Sequence, residues 1–206
     1  CSTADTMTVT LFEPPSTANA GADVNVCNAA SFTMNADTTS FSGTGTWTVL
    51  SGPSGGSFDD VNDPNATFSN PGYGVYVFQW TVANGDCSNA DQVRFTNYQP
   101  PSTANAGPDQ DVTCDTIVTM SATDPAVGVG EWTFISKSGD GPNPVITSPI
   151  LYNTTISNLG PKSNGDSITY VFSWTVTNGS ECPSNSDTVE VYVYETPTPA
   201  DAGPDQ

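Results

Sequence analysis

The sequence contains no histidine, and its only basic side chains are Arg94, Lys137 and Lys162. Histidine is the commonest general base and metal ligand, so the usual routes to hydrolytic or metal catalysis are missing. The 22 acidic residues bring the formal net charge to −19. Nucleic acids and anionic membranes are held by basic side chains, so we expect neither as a partner.

Long apolar segments are also missing. No run approaches the roughly twenty apolar residues of a membrane-spanning helix, so we expect no direct membrane insertion. Apolar residues at helical spacing (i, i+3, i+4) are absent as well, and Ser, Thr, Asn, Gly and Pro replace most charged residues. This composition is typical of strands joined by tight turns.

What the sequence does contain is an internal repeat of roughly ninety residues. The segment Pro14–Gly21 returns almost unchanged as Pro100–Gly107 and begins a third time at Pro199. We interpret the chain as part of a longer tandem array. The predicted organisation is a C-terminal strand of a preceding repeat (1–13), two repeats (14–99 and 100–196) and the start of the next repeat (197–206).

Proline marks every junction between repeats, as in Glu13-Pro14-Pro15 and Gln99-Pro100-Pro101. Proline fixes φ and favours extended geometry, so these junctions are predicted to be short, semi-rigid linkers. The extra residues of the second repeat fall mainly in 159–166, where Gly, Pro and Asn predict a loop insertion.

Alternation of apolar and polar residues predicts the strands. Tyr76, Phe78, Trp80 and Val82 share one face of the clearest strand, which spans 74–84. The other strands are predicted at 18–26, 31–36, 46–51, 66–70 and 92–98, and in the second repeat at 111–113, 117–122, 130–136, 154–157, 170–177 and 188–194. This density of short strands predicts an all-β chain of tandem immunoglobulin-like sandwiches.

Large aromatic residues are expected in the core of each sandwich rather than on its surface. The predicted core tryptophans are Trp47, Trp80, Trp132 and Trp174.

Each repeat contains one early and one late cysteine. We predict disulfides Cys27–Cys87 and Cys114–Cys182, each pinning one end of a sandwich, and a partner for Cys1 in the preceding repeat. Metal ligation is a poor alternative, because histidine and a Cys-x-x-Cys pair are both missing. Regular disulfides indicate an oxidising, extracellular location.

Several segments resemble the polycystic-kidney-disease-like (PKD-like) repeats of Bacteroidota cell-surface proteins. They are Ala-Asn-Ala-Gly-Pro-Asp-Gln, Gly-Thr-Trp-Thr-Val, Tyr-Val-Phe-Gln-Trp-Thr-Val-Ala-Asn-Gly and Cys-Ser-Asn-Ala-Asp. The resemblance implies a place in very large adhesins, including those associated with gliding motility. The Trp-x-Phe-Gly-Asp-Gly signature of the standard PKD domain is replaced by Trp47-Thr-Val-Leu-Ser-Gly and Trp132-Thr-Phe-Ile-Ser-Lys.

Catalytic residues are not expected. Paired carboxylates can hydrolyse glycosides, but Asp59, Asp60 and Asp63 have no clear acidic counterparts in the second repeat. We interpret them as turn-forming residues, and we expect no enzyme activity.

Calcium is the one cofactor that the sequence brings into consideration. Asp109 and Asp111 follow the linker of the second repeat, and Asp205 repeats the motif, so they are candidate ligands for a hard cation. The alternative is an Asx turn that starts a strand.

Glycosylation is a further candidate modification. Asp followed by Ser or Thr resembles an O-glycosylation site of exported Bacteroidota proteins. The candidate acceptors are Thr6, Thr38, Thr116, Ser167 and Thr188.

We therefore expect a non-enzymatic structural shaft of an extracellular cell-surface adhesin or filament, with neighbouring repeats and an extracellular polysaccharide or surface as partners. Alternatives are a polysaccharide- or protein-binding module that acts by avidity, the spacer of a secreted hydrolase, and a subunit that polymerises by strand exchange.

Overall fold

The computed structural model describes residues 1–39, 43–113, 115–160, 167–194 and 203. The chain divides into two compact units, Cys1–Gln99 and Pro100–Gln206. Within the described residues every regular element is a β-strand. The predicted all-β class is therefore confirmed.

The described residues of the first unit form seven strands. They are β1 (Val24–Cys27), β2 (Ser31–Thr33), β3 (Thr44–Ser51), β4 (Ser57–Phe58), β5 (Thr67–Ser69), β6 (Gly74–Asn84) and β7 (Cys87–Tyr98). One sheet has the order β1-β7-β6-β3, and the other has the order β2-β5-β4. Strands β6 and β7 form a long antiparallel hairpin, whereas β1 runs parallel to β7.

The second unit repeats this arrangement. Its strands are β8 (Gln110–Thr113), β9 (Val118–Thr119), β10 (Val129–Lys137), β11 (Val145–Ile146), β12 (Thr155–Ser157), β13 (Ile168–Thr177) and β14 (Asn185–Tyr194). The sheets have the orders β8-β14-β13-β10 and β11-β12-β9, and β8 runs parallel to β14. Seven strands in two sheets around one core make each unit an immunoglobulin-like sandwich.

The core forms where the alternating faces of the two sheets meet. Tyr76, Phe78, Trp80 and Val82 are at most 1% exposed, so the predicted inward face of β6 is correct. The four predicted core tryptophans are likewise fully buried. The Trp47 and Trp80 ring centroids lie 5.0 Å apart, and those of Trp132 and Trp174 lie 5.2 Å apart.

Several strand boundaries differ from the predictions: β7 and β14 begin earlier, and β2 and β9 end earlier. The predicted strand at 18–26 begins only at Val24, because residues 18–20 are held by side-chain hydrogen bonds and not by a backbone ladder. The two-residue strands β4 and β11 were not predicted, since two residues are too short to show an alternation. The segment 1–13 is described without a strand, and its predicted role as a strand of a preceding repeat stays a prediction.

Candidate functional site: the fastened entry of each repeat

Each repeat begins with an extended segment that is tied to its last strand. In the first repeat, the Ala18 N–H donates to Asn89 Oδ1 at 2.8 Å and the Ala20 N–H donates to Asp91 Oδ2 at 2.9 Å. Ala18 and Ala20 are buried, so their N–H groups could not be satisfied by water. Side chains of β7 thus supply the hydrogen-bond acceptors that backbone carbonyl groups supply between paired strands.

The second repeat contains the same bonds at the matching positions. The Ala104 N–H donates to Asn185 Oδ1 at 2.7 Å, and the Ala106 N–H donates to Asp187 Oδ2 at 2.8 Å. We call these pairs of bonds, in each repeat, the entry clamp. The recurring Cys-Ser-Asn-Ala-Asp type of segment supplies its acceptors, and the Ala-Asn-Ala-Gly segment supplies its donors.

A tight turn follows each clamp and aims the chain into the first strand. Asn19 Oδ1 accepts the Gly21 N–H at 3.1 Å, and Asn105 Oδ1 accepts the Gly107 N–H at 2.9 Å. Gly21 has φ 90° and Gly107 has φ 85°, in the region that favours glycine. The Asx turn expected at the repeat entrance therefore exists, but an asparagine forms it and not an aspartate.

The aspartates after this turn accept a third hydrogen bond between the entry segment and the last strand, which we call the third fastening. Asp23 Oδ1 accepts the Arg94 N–H at 2.9 Å, and Asp109 Oδ1 accepts the Glu190 N–H at 2.8 Å. Asp109, a candidate calcium ligand, thus has a structural role that Asp23 shares.

The other two calcium candidates are placed differently. Asp111 Oδ1 accepts the Tyr194 hydroxyl at 3.3 Å, and Asp205 lies outside the described residues. Within the described ranges, no group of three or more His, Cys, Asp or Glu side chains is arranged to hold a metal ion. Calcium binding stays an untested prediction.

Two tyrosines on β14 are paired with acids beside the third fastening. The Tyr192 hydroxyl donates to Glu190 Oε2 at 2.6 Å, and this bond is the main reason that the pKa of Tyr192 rises to about 12. Desolvation and the negative charges of Glu190 and Asp109 act in the same direction. The pKa of Tyr194 is also raised, first by the charge of Asp111.

The predicted disulfide Cys27–Cys87 is wrong. Cys27 pairs with Tyr98 at the end of β7, whereas Cys87 opens the same strand. Eleven residues separate these two points along β7, which corresponds to roughly 36 Å at about 3.3 Å per residue. Cys27 is disulfide-bonded, but Cys87 and Cys1 are free and exposed.

The physical reason is the parallel pairing of β1 with β7. We expected the turn at Cys87 and the loop at Cys27 to meet, but two parallel strands have their C-terminal ends side by side. Cys27, at the C-terminal end of β1, therefore lies opposite Tyr98, whereas Cys87 is at the N-terminal end of β7. Cys182 is disulfide-bonded, and Cys114 lies outside the described residues.

The acidic loop residues bind their own backbone. Asp59 Oδ1 accepts the N–H groups of Thr67 and Asp60, each at 2.8 Å, and these bonds lower the pKa of Asp59, that from Thr67 most. Asp60 Oδ1 and Asp63 Oδ1 each accept an N–H two residues on. These carboxylates form turns, as the sequence interpretation had it.

The candidate O-glycosylation residues all lie on exposed positions. These are Thr6, Thr38, Thr116, Ser167 and Thr188. Their exposure leaves the hydroxyls accessible, and modification stays a prediction.

Comparison with known proteins agrees with this geometry. Residues 20–96 match the family described as K319L-like, PKD domain. The extracellular domains 3–5 of Drosophila OTK align over 89% of this chain and 61% of that chain, with 13% identity and a TM-score of 0.54. This likeness shows the immunoglobulin-like fold. No curated protein matches the chain in sequence.

Two further solved structures are similar over part of their length. A fragment of titin domains I67–I69 aligns with 13% identity and a TM-score of 0.47, over 87% of this chain and 65% of that one. The PKD domain of the KIAA 1837 protein aligns with 24% identity and a TM-score of 0.36, over 40% of this chain and 85% of that one. The chain thus spans 61% of the length of the OTK fragment and 65% of that of the titin fragment.

In the part of the chain that the structure describes, no helix has the length and apolar character needed to cross a membrane.

Proposed function

We propose that this chain is a non-enzymatic structural segment of a long extracellular adhesin or filament at the cell surface. Its repeats pass tension from one to the next, and neighbouring repeats are its main partners. An extracellular polysaccharide or another surface is the proposed target of the whole protein. The proposal rests on how each repeat is fastened between its entry and its exit.

The parallel pairing of the first and last strands carries the proposal. In the first repeat, β1 is aligned with β7 from Val24↔Phe95 to Cys27↔Tyr98. The chain enters before Val24 and leaves after Tyr98, so pulling its ends moves the two strands in opposite directions along their common axis. All bonds between them are then loaded together, whereas the bonds of a hairpin pulled open are loaded one at a time.

The side-chain fastenings lie in the same shear path. Asp23 joins the entry segment to Arg94, and the entry clamp joins it to Asn89 and Asp91. Because a carboxylate acceptor makes a stronger hydrogen bond than a neutral one, these ties reinforce the short β1–β7 ladder. The second repeat has the same ties at Asp109 and Asp187.

The surface chemistry supports an exposed, non-associating role. A net charge of −19 repels parallel copies of the chain and keeps it soluble. O-glycans on the exposed hydroxyls of Thr6, Thr38, Thr116, Ser167 and Thr188 would add to this effect. Mass spectrometry of the native protein tests that part of the proposal, and peptides without hexose at these positions would contradict it.

Single-molecule force spectroscopy on the two-repeat chain, pulled through its ends under reducing conditions, tests the mechanical role. We expect each repeat to unfold in one sharp event, and Asp23→Ala to lower the force for the first repeat only. Asp86→Ala, in the exposed β6–β7 turn, is the matched control and should leave the force unchanged. An Asp23→Ala variant that unfolds at the unaltered force would contradict the proposed load path.

The mass of the native polypeptide distinguishes the adhesin from the alternatives. A chain of many such repeats supports the adhesin, including one of the gliding-motility-associated type. A chain carrying catalytic-domain peptides would make these repeats the spacer of a hydrolase. Saturable binding of a polysaccharide to the two-repeat chain would favour the avidity module.

A further inference from the structure

The β6–β7 turn of the first repeat is a two-residue turn whose first central residue is a glycine. Asn84 pairs with Cys87, so Gly85 and Asp86 form the loop between the two strands. Gly85 has φ 60°, a conformation that glycine adopts readily and that hairpin turns of this length demand. The turn therefore presents backbone without a side chain at the end of the sandwich where the chain enters.

The aromatic ring of Phe12 covers this backbone. A Cβ added at Gly85 would lie 2.4 Å from Phe12 Cδ2 and Cγ and 2.5 Å from Phe12 Cδ1. Nearly equal distances to three adjacent ring atoms place this position over the face of the ring and not at its edge. A Cα–H group of Gly85 thus points at the electron-rich face of the ring, and any side chain at this position would collide with it.

A hydrogen bond fixes the next residue to the same turn. The side-chain N–H of Asn84 donates to the Glu13 carbonyl oxygen at 2.9 Å. Phe12 is thus held by packing on Gly85, and Glu13 is held by the amide of Asn84. We call Asn84 and Gly85 the docking turn. All four residues belong to the first compact unit, Cys1–Gln99.

Phe12 is less exposed than the other large apolar residues of the segment 1–13. Met7 is 86% exposed and Leu11 is 88% exposed, whereas the exposed fraction of Phe12 is 46%. Partial burial of the ring is therefore a property of this position and not of the segment as a whole.

The position of Phe12 is that of a residue that ends a repeat. When the segment from Cys1 is aligned with the segment from Cys87, Phe12 matches Tyr98, the last residue of β7. Each of these aromatic residues is followed by one polar residue and then by two prolines. In the predicted organisation, the occupant of the docking turn is therefore the aromatic residue that closes the last strand of a preceding repeat.

The linker Pro14-Pro15 lies between two fixed points on one hairpin. Glu13 is bonded to Asn84 before the prolines, and Ala18 is bonded to Asn89 after them. Both asparagines belong to the β6–β7 hairpin. Since both ends of the linker are attached to the same hairpin, and proline restricts φ between them, the linker cannot act as a free hinge.

We propose that the docking turn is an interaction surface for the strand end that precedes the first repeat, and that it sets the direction from which this strand enters. Its partner is an aromatic side chain followed by a backbone carbonyl group that accepts a hydrogen bond. An aliphatic residue in place of Phe12 would have no flat face to lie on the glycine backbone. In the array, where the inference rests on the proposed function, docking would make the junction resist bending as well as tension.

NMR spectroscopy of the chain detects this docking directly. A proton over the face of an aromatic ring is shifted upfield, so we expect one Gly85 Hα resonance well upfield of the other. Phe12→Ala should abolish the shift, whereas Phe12→Tyr, which keeps the ring, and the matched control Leu11→Ala should retain it. Unshifted Gly85 resonances in the wild-type chain, or a shift that survives in Phe12→Ala, would overturn the proposal.

Backbone dynamics test whether docking restrains the segment. The heteronuclear NOE of Phe12 and Glu13 should equal that of strand residues, and Asn84→Ala should lower it at Glu13, whereas the control Asp86→Ala in the same turn should not. A wild-type value as low as that of Met7 would contradict the proposal. No force is applied in these measurements, so docking and the mechanical role can fail separately.

Discussion

The two repeats place different residues around the same backbone frame. Register matches four aromatic residues of the first core to aliphatic residues of the second: Phe32 to Val118, Phe58 to Ile146, Phe68 to Ile156 and Phe95 to Val191. The first repeat therefore packs by a network of ring contacts, such as Phe68 with Phe78 at 4.9 Å between centroids. The two repeats therefore differ in the residues that fill the core and not in the backbone frame around it.

The second core recovers volume from other positions. Phe134 packs against the second core where the first repeat has Val49, which is 46% exposed. Leu159, the first residue of the predicted insertion, is also buried in this core. Ile168 and Val193 form a pair where the first repeat has Gly74 and Asn97. Interiors must stay close-packed, so the loss of rings at one place is offset by larger side chains at another.

The tryptophan pair, the glycine beneath it and the entry clamp do not differ between the repeats. A Cβ added at Gly45 would lie 2.0 Å from Trp80 Cζ2, and one at Gly130 would lie 2.0 Å from Trp174 Cζ2. These shared features fix where the strands lie, whereas the rest of the core only fills the space. The comparison predicts that shared positions respond alike in both repeats and that variable positions do not.

The largest effect is expected at the shared glycines. Gly45→Ala and Gly130→Ala should each destabilise their repeat by about 3 kcal/mol, because the tryptophan ring beside the new methyl group is enclosed by the core. Chemical denaturation with hydrogen-exchange mass spectrometry locates the affected repeat. Glu131→Ala, at an exposed position next to Gly130, is the control, and a glycine variant as stable as this control would contradict the shared role.

A somewhat smaller effect is expected at the clamp acceptors. Asp91→Ala and Asp187→Ala remove the partners of the buried Ala20 and Ala106 N–H groups, at a cost of about 2 kcal/mol in either repeat. Asp91→Asn keeps an acceptor oxygen and should restore most of the stability. Equal loss in the Asn and Ala variants, measured by calorimetry, would show that the hydrogen bond is not the cause.

Exchanging a variable pair should expose the difference between the cores. Phe68→Ile removes ring contacts and leaves a void in the first repeat, and Ile156→Phe overfills the second; each should cost about 1.5 kcal/mol. Adding Ile146→Phe to Ile156→Phe should not restore the second repeat, because its space is already taken by Phe134 and Leu159. Full restoration, measured by denaturant unfolding, would mean that the two cores are interchangeable.

The smallest effect concerns a group that only the second repeat contains. Register places Thr96 where the second repeat has Tyr192, whose pKa is raised to about 12. A raised pKa favours the neutral phenol in the folded state, so this stabilisation is complete below about pH 10 and is lost as the pH rises through 12. Tyrosinate absorbance should show a step near pH 12 that Tyr192→Phe removes, and persistence of this step in Tyr192→Phe would contradict the assignment.

The sequence predicted best what depends on local alternation. The faces of β6 and β13 and the burial of the four tryptophans follow from period-two patterns, so fold class and core were accessible. The entry clamp was not, because Asn89 and Asp91 look like ordinary polar residues of a strand. Their buried donors, Ala18 and Ala20, gave no polar signal of their own.

The disulfide prediction was wrong for a different reason. The spacing of Cys27 and Cys87 indicates that both lie in turns, but it does not tell which end of the sandwich each turn occupies. The parallel pairing of β1 with β7 decides that, and strand direction is a property of the whole fold. The repeated Cys-Ser-Asn-Ala-Asp segment did carry this information, because it places the late cysteine two residues before the first clamp acceptor. The late cysteine therefore lies at the entry end of the repeat, whereas Cys27 lies at the other end, opposite Tyr98.

Amide hydrogen exchange at Ala20 and Ala106, resolved by NMR, tests most directly whether the same clamp fastens both repeats. These N–H groups lie outside the strands and bond only to aspartate side chains. We predict protection comparable to that of Phe78 and Phe172 in the central strands, and equal in the two repeats. Exchange as fast as that of the exposed Met7 amide, in either repeat, would contradict the claim that the entry clamp holds the chain.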